Sequence, residues 1–122
     1  MLPIDKFDLA SIGLLERMPE ELVEPYLPQL LSWLQDGNWP IAKPLGAVLG
    51  KMGSKVVPSL LDVLHGTDSA WKYWCIELLV KQMPHEARKE IQSQLIALAS
   101  SPSADDEQEE VHLVAQEALQ GM

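Results

Sequence analysis

The sequence predicts an all-α chain. Three observations carry that prediction. Proline and glycine divide the 122 residues into short segments. Apolar residues inside those segments recur at spacings of three and four, the helical period. No stretch alternates apolar and polar residues with β-branched enrichment, so no strand is expected.

About seven helices follow in order. The first is expected over 8–17 and stops before Met18-Pro19. The second ends at Gln35, with Leu27, Leu30, Leu31 and Leu34 on one stripe. Its start is open, because Pro25 and Pro28 both suit a first turn rather than an interior. Asp36-Gly37-Asn38 ends it, and Asn38 is the expected cap of the next. The third spans 39–52, with Pro40 in its first turn and Gly53 as its stop. The fourth covers 57–65, carries Leu60, Leu61 and Leu64, and closes at Gly66. The fifth, 69–82, carries Trp71, Trp74, Cys75, Leu78 and Leu79 and breaks at Met83-Pro84. The sixth, 85–99, carries Ile91, Leu95, Ile96 and Leu98. After a polar loop, the seventh runs 105–119 and opens on acids that suit the positive end of a helix dipole.

The third helix holds an oddity. Pro44 lies in or just past its first full turn, followed by Gly46 and Gly50. An interior proline costs about 3 kcal/mol and each glycine about 1 kcal/mol against alanine. Close packing of a neighbouring helix on the glycine surface, with a bend at Pro44, is the expected compensation.

The helices repeat in pairs. Ile41, Leu45 and Val48-Leu49 share a spacing with Trp71, Cys75 and Leu78-Leu79, and with Val111, Ala115 and Ala118-Leu119. The copies are offset by 30 and then 40 residues. Each follows an acidic turn at Asp36, Asp68 or Asp105-Asp106, and before each turn lies a leucine-rich helix. A two-helix unit buries one face only when a neighbour stacks on it, so a short superhelix is expected. The division is one domain over 1–122: a leading helix, 1–20, and two-helix units 21–53, 54–83 and 84–122.

On these residues the chain resembles the HEAT-repeat family. Val48-Leu49-Gly50-Lys51-Met52-Gly53 is similar to the end of that family's repeat signature, and Val56-Val57-Pro58-Ser59-Leu60-Leu61 to the start of the next. Val111 to Leu119 fits the middle, with His112 in the slot of the family's arginine; Lys72 takes that slot in the preceding copy. No copy has the arginine itself, and Cys75 and Leu78 replace preferred alanines. The string Asp36-Gly37-Asn38-Trp39-Pro40-Ile41-Ala42, with Trp71-Lys72-Tyr73-Trp74, also resembles a small, mostly bacterial family of HEAT-like domains with no assigned activity. The resemblance implies a right-handed α-α superhelix whose concave face is lined by 39–52, 69–82 and 105–119.

Charge narrows the function. The net charge is −9. Residues 1–35 hold six acids against two bases, and 101–122 hold six acids and no base. The middle is near neutral. Such a balance argues against general nucleic-acid binding. No apolar run approaches the ~18 residues of a membrane span. The first ten residues lack the apolar stretch of a signal peptide, and the single cysteine excludes an internal disulfide, so the cytoplasm is the expected compartment.

Catalytic and metal motifs are missing. His65, His85 and His112 are scattered, and no Cys-x-x-Cys occurs, so no metal or cofactor is expected. Cys75 falls on an apolar stripe and reads as a core residue rather than a nucleophile. Neighbouring pairs such as Glu20-Glu21 and Glu109-Glu110 point apart on a helix and do not share a proton. With no phosphate loop and no nucleophile elbow, the chain is not expected to be an enzyme.

The four tryptophans, Trp33, Trp39, Trp71 and Trp74, are many for this length. Most suit the core. Any ring edge on the concave surface would be an anchor for a partner. The sequence therefore points to a protein-interaction module with a contact face of Trp39, Lys43, Trp71, Lys72 and Tyr73, Lys72 and Tyr73 being central. Two other readings stay open. The acidic end suits an immunity protein that neutralises a basic toxin, with salt-sensitive association. A small-molecule role needs a pocket between the third and fifth helices, as in HEAT-like proteins that act on tetrapyrroles. The partner and the oligomeric state are not written in the sequence.

Overall fold

The computed structural model describes residues 2–121. Among them the only regular structure is helical. The α-helices are α1 (Leu9–Arg17), α2 (Glu20–Val23), α3 (Leu27–Leu31), α4 (Ala42–Lys51), α5 (Val57–Leu64), α6 (Ser69–Leu78), α7 (His85–Lys89), α8 (Gln92–Ser100), α9 (Ala104–Gln108) and α10 (Val111–Gln120). Tight 3-10 turns, Glu24–Tyr26, Ser32–Leu34, Gly53–Val56 and Val80–Gln82, join or end several of them.

These elements lie where seven were expected, but they are shorter and more broken. Proline is the main reason in the first half. Pro25 and Pro28 each open a helical turn, so the stretch 20–35 divides into α2, a 3-10 turn, α3 and a second 3-10 turn. The expected seventh helix splits at Glu110, whose backbone is left-handed at φ 62 and ψ 27. The expected sixth splits at Ile91, where φ −112 and ψ 9 leave the helical region.

The third expected helix begins later than the sequence suggested. Asp36 Oδ1 accepts from the backbone of Asn38 at 2.8 Å, and α4 starts only at Ala42, with Ile41 at its N-cap and no side-chain cap. Asn38 is therefore not the cap, and Pro40 lies outside the helix. Pro44 becomes the third helical residue, where a backbone N–H has no partner inside the helix. The expected interior-proline cost does not arise, and no bend is needed to meet it.

The glycine expectation holds. A Cβ on Gly46 would lie 2.5 Å from the Leu78 carbonyl oxygen, and one on Gly50 would lie 2.7 Å from Gln82 Cβ. Bare backbone lets α4 close onto α6 and the turn after it. Side caps fix other starts: Asp8 on α1, Asp68 on α6, and Ser103 on α9.

Packing follows the order of the chain. α4 lies between α1 and α6, and α6 between α4 and α10. On the other side α3 packs on α5, while α8 packs on α10. One core runs between them. Leu30, Leu34, Ile41, Leu45, Leu49, Leu60, Cys75, Ile76, Leu79, Leu95 and Val111 are wholly buried. Arg88 ties the far end together: its guanidinium donates to the carbonyls of Lys81 at 2.7 Å, Met83 at 3.2 Å and Ala118 at 3.4 Å. No helix among the described residues is long and apolar enough to cross a membrane.

Candidate functional site

α6 sits in the middle of its layer, so its two faces have different fates. Ser69, Lys72, Cys75, Ile76 and Leu79 point inward. Ala70, Tyr73, Trp74, Glu77 and Lys81, at helical spacings of three and four, form the other stripe and stay partly open to solvent.

Hollows run along that open stripe. One, of about 440 Å³, is lined by Lys43, Ala47, Trp74, Glu77, Leu78, Lys81 and Gln82. A second, of about 290 Å³, is lined by Ala70, Tyr73, Trp74, Gln108, Glu109 and Glu110. A third, of about 270 Å³, shares Ala70, Gln108 and Glu109 with it and adds Asp68 and Asp105. Trp74 lines the first and the second, and Ala70, Gln108 and Glu109 line the second and the third, so the three hollows lie side by side along the stripe and are called the trough below. Ala70 to Lys81 spans about 16–18 Å, at rises of about 1.5 Å per residue in α6 and about 2.0 Å in the 3-10 turn after it.

Aromatic rings occupy its middle. Tyr73 and Trp74 meet edge to face, with centroids 5.0 Å apart and planes at 88°. Gly37 lets the Trp74 ring lie against the chain, since a Cβ there would overlap it. Burial holds the Tyr73 hydroxyl above the usual tyrosine value, and the carboxylates of Glu77, Glu117 and Glu110 add to that. In the 3-10 turn after α6, Lys81 bridges Glu77 and Glu117, each at 2.6 Å. Partial burial pulls its ammonium down, but the bonds to Glu117 and Glu77 outweigh it and hold it above the usual lysine value. At the opposite end Glu109 and Glu110, both exposed, line the same hollow as the rings, and among the described residues no ion pair reaches either.

The five residues expected to form a contact face divide. Lys43 is exposed and Tyr73 is half-buried, and both line the trough. Trp39 is half-buried, meets Trp33 edge to face at 5.9 Å and is not among the residues that line the trough. Trp71 turns to the outer layer, where its Nε1–H donates to the Leu31 carbonyl at 2.8 Å. Lys72 is the clearest correction. It is only 6% exposed, and its Nζ lies 3.1 Å from Asp106 Oδ1, so it is not available to a partner. Ser69 Oγ donates to the same carboxylate oxygen at 2.6 Å. Burial pushes the Asp106 carboxyl up, but Ser69 and Lys72 outweigh it and hold it below the ordinary value.

Over residues 1–119 the chain matches the family described as a domain of unknown function, DUF5071. The chain belongs to this family. No curated protein matches it.

Sequence reasoning passed over Trp74, Glu109 and Glu110 in this member of the family. Trp74 looked like core because it shares a face with Leu78. The missed signal is the spacing Ala70, Tyr73, Trp74, Glu77, Lys81, which carries both aromatic and charged residues and so cannot be fully buried. Glu109 and Glu110 were read as helix-start acids; the left-handed turn at Glu110 was not foreseeable from the residue type. Among the described residues no group of three or more histidine, cysteine, aspartate and glutamate side chains is gathered in metal-binding geometry. Cys75 is wholly buried, and burial pushes its thiol far above the usual value.

Proposed function

We propose that this chain is a non-enzymatic protein-interaction module of HEAT-like design, and that a segment of its partner lies in the trough along α6. One observation carries the reading: the open stripe of the central helix coincides with adjacent hollows, the middle one lined by an aromatic pair. Aromatic anchors in a concavity are what protein interfaces use for affinity. The face is Lys43, Tyr73, Trp74, Glu77 and Lys81, with Glu109 and Glu110 at one end.

The side-by-side order of α1, α4, α6 and α10 supports a short right-handed superhelix built from units 21–53, 54–83 and 84–122. In that reading α4, α6 and α10 line the concave side. The trough offers no activated nucleophile, which supports a binding role. A single buried thiol suits a reducing compartment, and we place the protein in the cytoplasm. The immunity reading is a special case of the same face. It is favoured by Glu109 and Glu110, which lack basic partners among the described residues, and it requires a basic toxin.

The test is affinity capture from host lysate at low and high salt, read by mass spectrometry. The control is the charge-swapped variant Lys43→Glu/Glu110→Lys, which keeps the net charge and touches no buried group. One dominant protein is expected with the wild type and lost with the swap. Loss at high salt as well selects the immunity reading. Equal capture by the swapped variant removes the trough from the account.

A further inference from the structure

The ends of the trough differ in charge, and the difference says what it can hold. At the N-terminal end of α6 lie Asp68, Asp105, Glu109 and Glu110. Five acids are matched by lysines: Glu77 and Glu117 by Lys81, Glu20 and Glu21 by Lys55, and Asp106 by Lys72. Among the described residues Glu109 and Glu110 have no such match, yet they line the hollow that Tyr73 and Trp74 line. Carboxylates beside aromatic rings suit one kind of group, a cation with a flat or apolar flank. A guanidinium or an ammonium can lie on a ring and reach a carboxylate at the same time. At the other end Lys43 is exposed and Lys81 is already bridged, so that end offers no comparable welcome to a cation.

Length adds a second condition. A trough of about 16–18 Å accepts about five residues of extended chain at roughly 3.3 Å each. A helix is about 10 Å wide with its side chains and covers only some three turns over that distance.

We propose that the trough takes an extended, basic protein segment, with one arginine or lysine side chain laid on the Tyr73–Trp74 pair and ion-paired to Glu109 and Glu110. This rests on the reading of the trough as the docking face, and adds the chemistry of its occupant. Arginine fits better than lysine, because its planar fork stacks on a ring and bonds carboxylates with two N–H groups. The net charge of −9 draws such a segment in before contact.

The probe is the peptide acetyl-Gly-Arg-Gly-Arg-Gly-amide, titrated into the full chain while the indole N–H signals of the four tryptophans are followed by NMR. The expected result is a saturable shift of the Trp74 signal and a much smaller one at Trp33 and Trp71. Glu109→Gln/Glu110→Gln is expected to weaken binding about tenfold or more, at unchanged melting temperature. The same peptide with glutamate in place of arginine is expected to leave Trp74 unmoved. Shifts scattered over the acidic surface without Trp74, or equal affinity for the double variant, overturn the proposal. If a captured partner still needs the trough while the arginine peptide ignores it, the docking face stands and its basic occupant falls. If capture is independent of the trough, both fall.

Discussion

Lys72 and Asp106 show how one side chain decides between a surface and a core. Both are nearly dry, and each is the other's compensation. Removing one partner of such a pair costs about 3–5 kcal/mol, because the remaining charge stays buried and unmatched. Lys72→Met is therefore expected to lower stability by that amount in urea unfolding, and Lys72→Met/Asp106→Leu to recover most of it. Equal losses in the single and double variants would show that the pair is not coupled. Asp106 also sets a pH limit. Its folded carboxyl titrates below its unfolded value, so the unfolded chain binds more protons in that interval. The stability it contributes is complete above about pH 4 to 5 and is lost as pH falls through the folded value. Urea midpoints between pH 6 and pH 3 are expected to drop, with a smaller drop in Lys72→Met/Asp106→Leu. The sequence misread Lys72 for a physical reason: a lysine is placed inward only by an acid, and this acid lies 34 residues away, on α9.

At the scale of elements, α4 is held by what its glycines lack. Gly46→Ala gains helix propensity but drives a methyl into the Leu78 carbonyl, 2.5 Å from the ideal Cβ position. A net loss of about 1–3 kcal/mol is expected. Gly13→Ala, in α1, meets nothing nearer than Arg17 Nη2 at 3.8 Å, and is expected to gain about 0.8–1 kcal/mol. Thermal melts of the two variants check the contrast; movement in the same direction would mean that α4 does not press on α6. Glu110 carries a different cost. A left-handed backbone is unfavourable for glutamate by about 1–2 kcal/mol, of which Gly would recover part after its own entropic loss of about 0.5–1 kcal/mol. Glu110→Gly is thus expected to raise the melting temperature while weakening partner binding. The helices themselves were legible, because Pro19, Gly53, Gly66 and Pro84 mark their ends directly in the sequence. Their exact lengths were not. Whether a proline opens a new turn or sits at position three of an old one depends on packing, as Pro28 and Pro44 show.

For the whole molecule, the helical period anticipated the all-helical class of the described residues. It anticipated the exposed positions less well. Lys43 and Tyr73 were legible as open positions on the third and fifth expected helices, and each lines a hollow of the trough. Trp71 and Trp74 could not be separated by sequence, since both are large, apolar and three residues apart. The choice between them is made by a carbonyl on α3 that receives the Trp71 N–H, and by the bare backbone of Gly37 under Trp74. The trough itself needs α4, α6 and the α9–α10 turn together, so no single segment announces it. Its role in docking is open to one direct measurement. A photo-crosslinking amino acid is placed at position 43 or 73 in the trough, or at the exposed Ile96 on α8, and the full chain is irradiated in host lysate. The account predicts one discrete crosslinked product from positions 43 and 73 and none from 96. A product from position 96 alone would contradict it.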